Sequence, residues 1–318
     1  ARYILSNNID LKNMQKERIE SIVDDIIAKS EQDFKSGIFI SDNVSKAMFR
    51  KAGSIAKKTI SKISDHIKAG DFKITYAEAQ FGGGKTLPPL HIGNIEGVDV
   101  YIEGKIDRVD TLMRDDKTYF KILDYKTGNV SVDYKKMYYG TDMQLLIYMQ
   151  ACLAGSEQNK PAGMFYYKFD APVVKYDKEV NIMEVENEIS RNMRYYGIAV
   201  DDEDIVLALD NNAKDNLKKS CRTISFTKND FISGSSHVFS DEDLKAILDH
   251  GMSNCKQFAG QILSGCAAAN PYKSSCTYCE YGSVCGFDTY FEKNNYKKQD
   301  SIDKKTIIEK IKGSYNDE

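Results

Sequence analysis

The 318-residue sequence has no run of 18 or more apolar residues, so nothing in it reads as a membrane-spanning helix. It lacks a charge imbalance: 44 Lys and Arg against 47 Asp and Glu give a formal net charge of −3. A nucleic-acid site would therefore have to be a local groove, because no whole-surface field is available. Trp is absent and Tyr is abundant, at 20 residues. No internal repeat, low-complexity tract or clear linker interrupts the chain. The N-terminus, Ala1-Arg2-Tyr3-Ile4-Leu5, turns polar at once and does not read as a signal peptide. It begins in what looks like folded sequence, so the expectation is a piece of a longer chain. Seven Cys, three of them between 276 and 285, argue against a secreted disulfide scaffold. They favour a cytoplasmic chain with a metal site.

What is present reads as an α/β chain. Leu11, Met14, Ile19, Ile22, Val23, Ile26 and Ile27 recur at helical spacing. Ser41-Asp42-Asn43 offers an N-cap for a second helix that continues through Ile55, Ile63 and Ile67 to a stop at Gly70. Residues 73–79 are β-like. Residues 98–109 alternate, with Val98, Val100 and Ile102 on one face and Asp99, Tyr101, Glu103, Lys105 and Asp107 on the other. Residues 118–126 form a strand with Phe120, Ile122 and Leu123 at its centre, ended by Gly128. Residues 138–154 predict a helix stopped by Gly155, and 164–169 another strand. From about 176 to 270 the pattern is α-rich, with a helix near 241–263, and 302–311 predicts a short charged helix. The expected division is an N-terminal helical segment (1–70), a catalytic core (71–175) and an α-rich C-terminal region with the cysteines (176–318), all in one continuous domain.

The chemistry concentrates in two segments. Asp124 and Lys126 lie two apart on a strand and so point the same way. The preceding strand carries Gly104-Lys105-Ile106-Asp107-Arg108-Val109-Asp110. If the two strands pair, Asp107 approaches Asp124, and two such carboxylates repel unless a cation lies between them. Oxygen donors suit Mg²⁺ or Mn²⁺. Such an ion polarises a phosphodiester, and Lys126 would orient water or offset developing charge. Taken alone, Asp and Lys at strand ends are common turn and surface residues.

These segments, followed by Gln144-Leu145-Leu146-Ile147-Tyr148, resemble the RecB-like branch of the PD-(D/E)XK nuclease superfamily. The resemblance implies a restriction-endonuclease-like core, a central mixed sheet flanked by helices. It implies that Asp107, Asp124 and the Tyr125 backbone carbonyl hold metal, that Lys126 serves the chemistry, and that Gln144 and Tyr148 lie on the next helix beside the DNA. Tyr76-Ala77-Glu78-Ala79-Gln80-Phe81-Gly82 resembles a Glu-x-x-Phe-Gly segment of the same branch, which makes Glu78 a further metal-site candidate. Cys276-x2-Cys279-x5-Cys285 resembles the C-terminal part of the iron–sulfur staple in the AddB chain of AddAB-type helicase–nucleases. A 4Fe-4S cluster there takes a fourth Cys from far upstream. No Cys precedes Cys152, and neither His66 nor His91 stands where the branch places a His. Both residues are expected before Ala1, and the cluster is expected to be incomplete in this chain. Cys152, Cys255 and Cys266 read as buried or inert thiols, with Cys221 a weak substitute ligand.

The implied function is Mg²⁺-dependent exonucleolytic processing of DNA double-strand breaks for recombinational repair. A single strand would be fed from unwound duplex, in partnership with an AddA-type helicase–nuclease subunit. The alternatives are a stand-alone Cas4-type iron–sulfur exonuclease and a non-catalytic, metal-stapled DNA-binding or assembly module. The near P-loop Ala79–Thr86 is set aside, because Leu87-Pro88-Pro89 prevents the helix a P-loop needs. Lys135-Lys136 with Tyr134, Tyr138 and Tyr139 offers a basic, aromatic surface for a single strand.

Overall fold

Ile122 and Leu123 are adjacent on one strand, point to opposite faces, and are both fully buried, so the sheet that holds them is covered on both sides. The computed structural model describes residues 2–33, 42–128, 131–169, 181–229, 231–277, 279–291, 294–300 and 302–314. Its elements in chain order are α1 (Arg2–Ser6), α2 (Lys16–Asp33), α3 (Asn43–Lys68), β1 (Lys73–Phe81), β2 (Leu90–Ile95), β3 (Val98–Ile102), β4 (Gly104–Arg114), β5 (Lys117–Lys126), α4 (Tyr134–Tyr138), α5 (Gln144–Leu153), β6 (Asn159–Lys168), α6 (Ile182–Asn192), β7 (Tyr196–Val200), α7 (Glu203–Leu209), β8 (Val238–Phe239), α8 (Asp241–Leu263), α9 (Gly282–Cys285) and α10 (Lys304–Ser314). Among the described residues no helix is long and apolar enough to cross a membrane.

The chain forms two units that interleave in sequence. The first comprises Ala1–Pro89, Glu103–Val132 and Tyr148–Glu242; the second comprises Leu90–Ile102, Asp133–Ile147 and Asp243–Glu318. The first is built on a six-stranded mixed sheet in the order β1-β4-β5-β6-β7-β8, flanked by helices. β1, β4 and β5 are successively antiparallel, β5 and β6 are parallel, β6 and β7 antiparallel, and β7 and β8 parallel. This is a restriction-endonuclease-like core. α3 starts where its cap chemistry predicts: the Asp42 side chain accepts the Ser45 N–H at 2.8 Å. Its buried face carries Ile63, His66 and Ile67.

Two parts of this sheet escaped the sequence reading. β7 is five residues long with Gly197 inside it, a composition that weakens any strand signal. Gly197 is required there, because a Cβ would lie 2.1 Å from the Met164 carbonyl oxygen on β6. Gly197→Ala is expected to cost about 2–3 kcal/mol by forcing β6 and β7 apart, measured as a lowered thermal midpoint. β8 has only two residues.

In the second unit β2 and β3 form a separate two-stranded sheet. The alternating run 98–109 is therefore two strands in two sheets, broken at Glu103. His91 lies on β2, and its ring packs 4.8 Å from Tyr101. The helix predicted over 138–154 is shorter: Tyr138 ends α4, a turn with Gly140 at φ 70° follows, and α5 begins only at Gln144. α8 buries Leu244, Ile247 and Leu248, and its Gly251 admits Leu146 of α5, whose Cδ1 lies 3.0 Å from where a Cβ would stand.

Candidate active site

The site follows from strand register. β4 and β5 pair from Arg114↔Lys117 to Arg108↔Leu123, and one step further brings Asp107 level with Asp124. The ladder stops there. In place of the next backbone bond, the Asp107 side chain accepts the Tyr125 N–H through Oδ2 at 2.8 Å. A carboxylate is thus inserted between two strands at their point of separation. In an extended strand the N–H and C=O of one residue point to the same side, so the Tyr125 carbonyl is directed to the β4 side as well.

Asp124 is buried, and its Oδ2 lies 2.7 Å from Lys126 Nζ. Lys126 Nζ also stands 5.6 Å above the Tyr166 ring. Tyr166 is the register partner of Asp124 on β6 and shares its face. This tyrosine was missed from sequence, because only the β5–β6 register brings it to the site.

On the other side, β1 pairs with β4 through Ala77↔Arg108 and Ala79↔Ile106, which sets Glu78 level with Asp107. Glu78, Asp107 and Asp124 therefore form one acidic row across three neighbouring strands. Glu78 ion-pairs with Lys105 and holds a left-handed φ of 55°, an uncommon conformation for a residue with a side chain. The ammoniums of Lys105 and Lys126 pair with Glu78 and Asp124 of the row.

Tyr148 lies in the same unit as the row, with its ring 6.1 Å from Phe81 in an edge-on contact. Gln144 is the first residue of α5 and belongs to the second unit. The row's hard oxygen donors suit Mg²⁺ or Mn²⁺. Among the described residues no three His, Cys, Asp or Glu side chains are gathered closely enough to enclose an ion by themselves. Two carboxylates and a backbone carbonyl are the donors that fit.

The reverse face of the same strands holds a buried charge cluster. Arg108 donates from Nε and Nη2 to the two oxygens of Asp110 at 2.7 and 2.6 Å, and both side chains are 1% exposed. Lys121, level with Asp110 on β5, reaches it at 4.0 Å and stands 4.5 Å above the Tyr195 ring. Burial lowers the Lys121 pKa to about 8, against the opposing pull of Asp110.

His66 packs edge-on to Tyr195 at 4.5 Å, and neither of its ring nitrogens has a hydrogen-bond partner among the described residues. Burial, then the charges of Lys62, Lys121, Arg108 and Arg194, hold its pKa well below the ordinary histidine value. The folded chain keeps His66 neutral where the unfolded chain protonates it. Stability attributable to His66 is therefore intact above pH of about 6.5 and falls as pH drops below that value. Urea titrations between pH 7 and 5 should show this slope, and His66→Phe should flatten it.

The cysteine run does not form a comparable site. Cys276, Cys279 and Cys285 are exposed thiols, one fewer than the four a cubane cluster takes, and they are not gathered into a metal-binding group among the described residues. Cys152, Cys221 and Cys255 are buried, and burial pushes their thiols up, Cys152 to about 12. Cys221 lies 3.3 Å from the Thr223 hydroxyl. Cys266 is exposed, so of the two expected states, buried or inert, burial does not hold for it.

The glycine run 82–84 leads into β2 with no helix following, and Gly83 donates its N–H to Glu103 at 2.8 Å. Of the expected strand-guiding tyrosines, Tyr138 stacks on His250 at 5.1 Å and Tyr139 packs 5.6 Å from Tyr272. Both rings have packing partners within their own unit.

A family model described as the PD-(D/E)XK nuclease superfamily matches residues 5–286. The chain is 32% identical over 324 residues to the B chain of the ATP-dependent helicase/deoxyribonuclease of Alkaliphilus metalliredigens, covering 98% of this chain and 28% of that protein. The same-named protein of Alkaliphilus oremlandii is 32% identical over 321 residues, with the same coverage. That of Clostridioides difficile is 29% identical over 330 residues, covering 99% of this chain and 28% of the relative. The chain thus spans about 28% of the length of the curated relatives it matches.

Proposed function

Because the chain belongs to the PD-(D/E)XK nuclease superfamily, we propose that it hydrolyses the phosphodiester backbone of single-stranded DNA with the help of Mg²⁺ or Mn²⁺. The observation that carries this reading is the Tyr125 N–H held by Asp107 at 2.8 Å beside the Asp124–Lys126 pair at 2.7 Å. The β4–β5 register, which sets Asp107 level with Asp124 beside Lys126, supports this reading.

In this reading Asp107, Asp124 and the Tyr125 carbonyl hold the divalent ion, with Glu78 adjusting the charge of the row. When bound, the ion supplies Lewis-acid polarisation of the scissile phosphodiester. Lys126 Nζ then has a phosphate oxygen or the attacking water as a partner in place of Asp124, orienting the one or offsetting charge on the other. The face of the Tyr166 ring keeps the ammonium over the site. Tyr148, and Gln144 four residues before it on α5, lie on one helical side and are assigned to substrate positioning. Cleavage would leave 5′-phosphate and 3′-hydroxyl ends.

The similarity to helicase/deoxyribonuclease chains over nearly the whole of this sequence supports a role as the nuclease part of such a chain. It would act in the cytoplasm in double-strand-break repair, fed by an AddA-type helicase–nuclease subunit.

The test is degradation of an end-labelled oligonucleotide. Cleavage is expected in Mg²⁺ or Mn²⁺ and should stop on chelation. Cleavage that persists without a divalent ion, or fails in every divalent ion, contradicts the proposal.

A further inference from the structure

Lys105 has no role in the chemistry above. It lies on β4 two residues before Asp107, so its side chain shares the face that carries Asp107, Asp124 and Lys126. Its ammonium pairs with Glu78 on β1, and the two side chains are 47% and 32% exposed. Lys126, in contrast, is held between buried Asp124 and the Tyr166 ring. Lys105, 47% exposed against 34% for Lys126, is the more accessible of the two lysines.

We propose that Lys105 is a phosphate-binding residue of this site. Its ammonium rests on Glu78 in the free chain and transfers to a backbone phosphate of the bound DNA strand. The proposal rests on the nuclease reading and adds a substrate contact to it.

The reason is electrostatic. The three carboxylates of the row gather negative charge where a phosphodiester would have to approach. A divalent ion among the carboxylates would offset that charge. It also satisfies the row's negative charge, so an ammonium that leaves Glu78 strands no carboxylate. An ion pair at this exposure is weak in water, so the exchange costs little. A lysine suits it, being a compact charge on a flexible stem. The left-handed φ of Glu78 marks the other half of the pair as a held position in the strand.

The test is binding of the whole chain to oligothymidylate in Ca²⁺, across a series of KCl concentrations, with KM and kcat for cleavage in Mg²⁺. Each phosphate contact to a single strand contributes about 0.7 to the slope of log K against log salt. Lys105→Gln should reduce that slope by about 0.7 and raise KM more than it lowers kcat. Lys105→Arg should restore both.

An unchanged slope in Lys105→Gln, with wild type binding and cleaving, overturns the inference and leaves the nuclease reading standing. Equal loss of slope in Lys105→Gln and Lys105→Arg also overturns it, because the loss would then not follow the charge at this position. A wild type that neither binds nor cleaves overturns the nuclease reading and this inference with it.

Discussion

Asp124→Ala should reduce single-strand DNA cleavage by at least about 10³-fold, or about 4 kcal/mol of transition-state stabilisation. The variant should nevertheless fold. Asp124 is buried with its charge balanced by Lys126, which is one-third exposed and can turn to solvent when its partner is lost. The residue contributes a metal donor and, through that pairing, the resting place of the ammonium. Lys126→Ala should lose cleavage to a similar degree while leaving divalent-ion binding in place, because the carboxylates and the Tyr125 carbonyl remain. The two variants should therefore separate in an ion-binding assay although they look alike in a nuclease assay. Full activity in either would remove the basis for the assigned roles.

Asp110→Ala should be the most destabilising single change in the sheet, at about 3–5 kcal/mol. It leaves the Arg108 guanidinium in the interior with neither of its two short hydrogen bonds, and Lys121 loses the same partner. Replacing both members of the pair with apolar residues, Arg108→Met with Asp110→Leu, should recover much of that loss. Recovery should be more complete near pH 8 and above, where Lys121, already lowered to about 8 by burial, sheds its proton more readily once Asp110 no longer opposes burial. Chemical denaturation of the two variants at pH of about 6.5 and about 8.5 measures this. A loss below about 1 kcal/mol for Asp110→Ala would show that the pair is not the buried clamp its geometry describes.

The catalytic strands were legible in the sequence because their information is local. Asp107 and Asp124–Lys126 sit in strands whose alternation fixes which side chains share a face, and antiparallel pairing of near neighbours is the simplest way to join them. The β4–β5 register then sets the two acids side by side. Tyr166 was not legible as a site residue, because it reaches the site only through the pairing of β6 with β5. Lys105 was legible as sharing the face of Asp107, but its ion pair with Glu78 on β1 was not. The burial of Asp110 and Arg108 was hidden for the same reason, since an Asp and an Arg two apart on a strand read equally well as surface.

Larger features failed where local signals are weak or ambiguous. Alternation shows that 98–109 is extended but not that it changes sheets at Glu103. β7 has a glycine at the point where the backbone of β6 presses closest, so the residue that makes the strand possible also obscures it. The long helix over 138–154 was predicted from an apolar run that continues across a turn. Gly140, at φ 70°, is the signal that could have divided it.

The nuclease reading requires that strands β4 and β5 deliver Asp107 and Asp124 to one divalent ion. Titration calorimetry of the chain with Mn²⁺ tests this most directly, comparing wild type with Asp107→Ala and Asp124→Ala. One Mn²⁺ site is expected in wild type, with loss of that site in both variants. Equal Mn²⁺ affinity in all three proteins would contradict it.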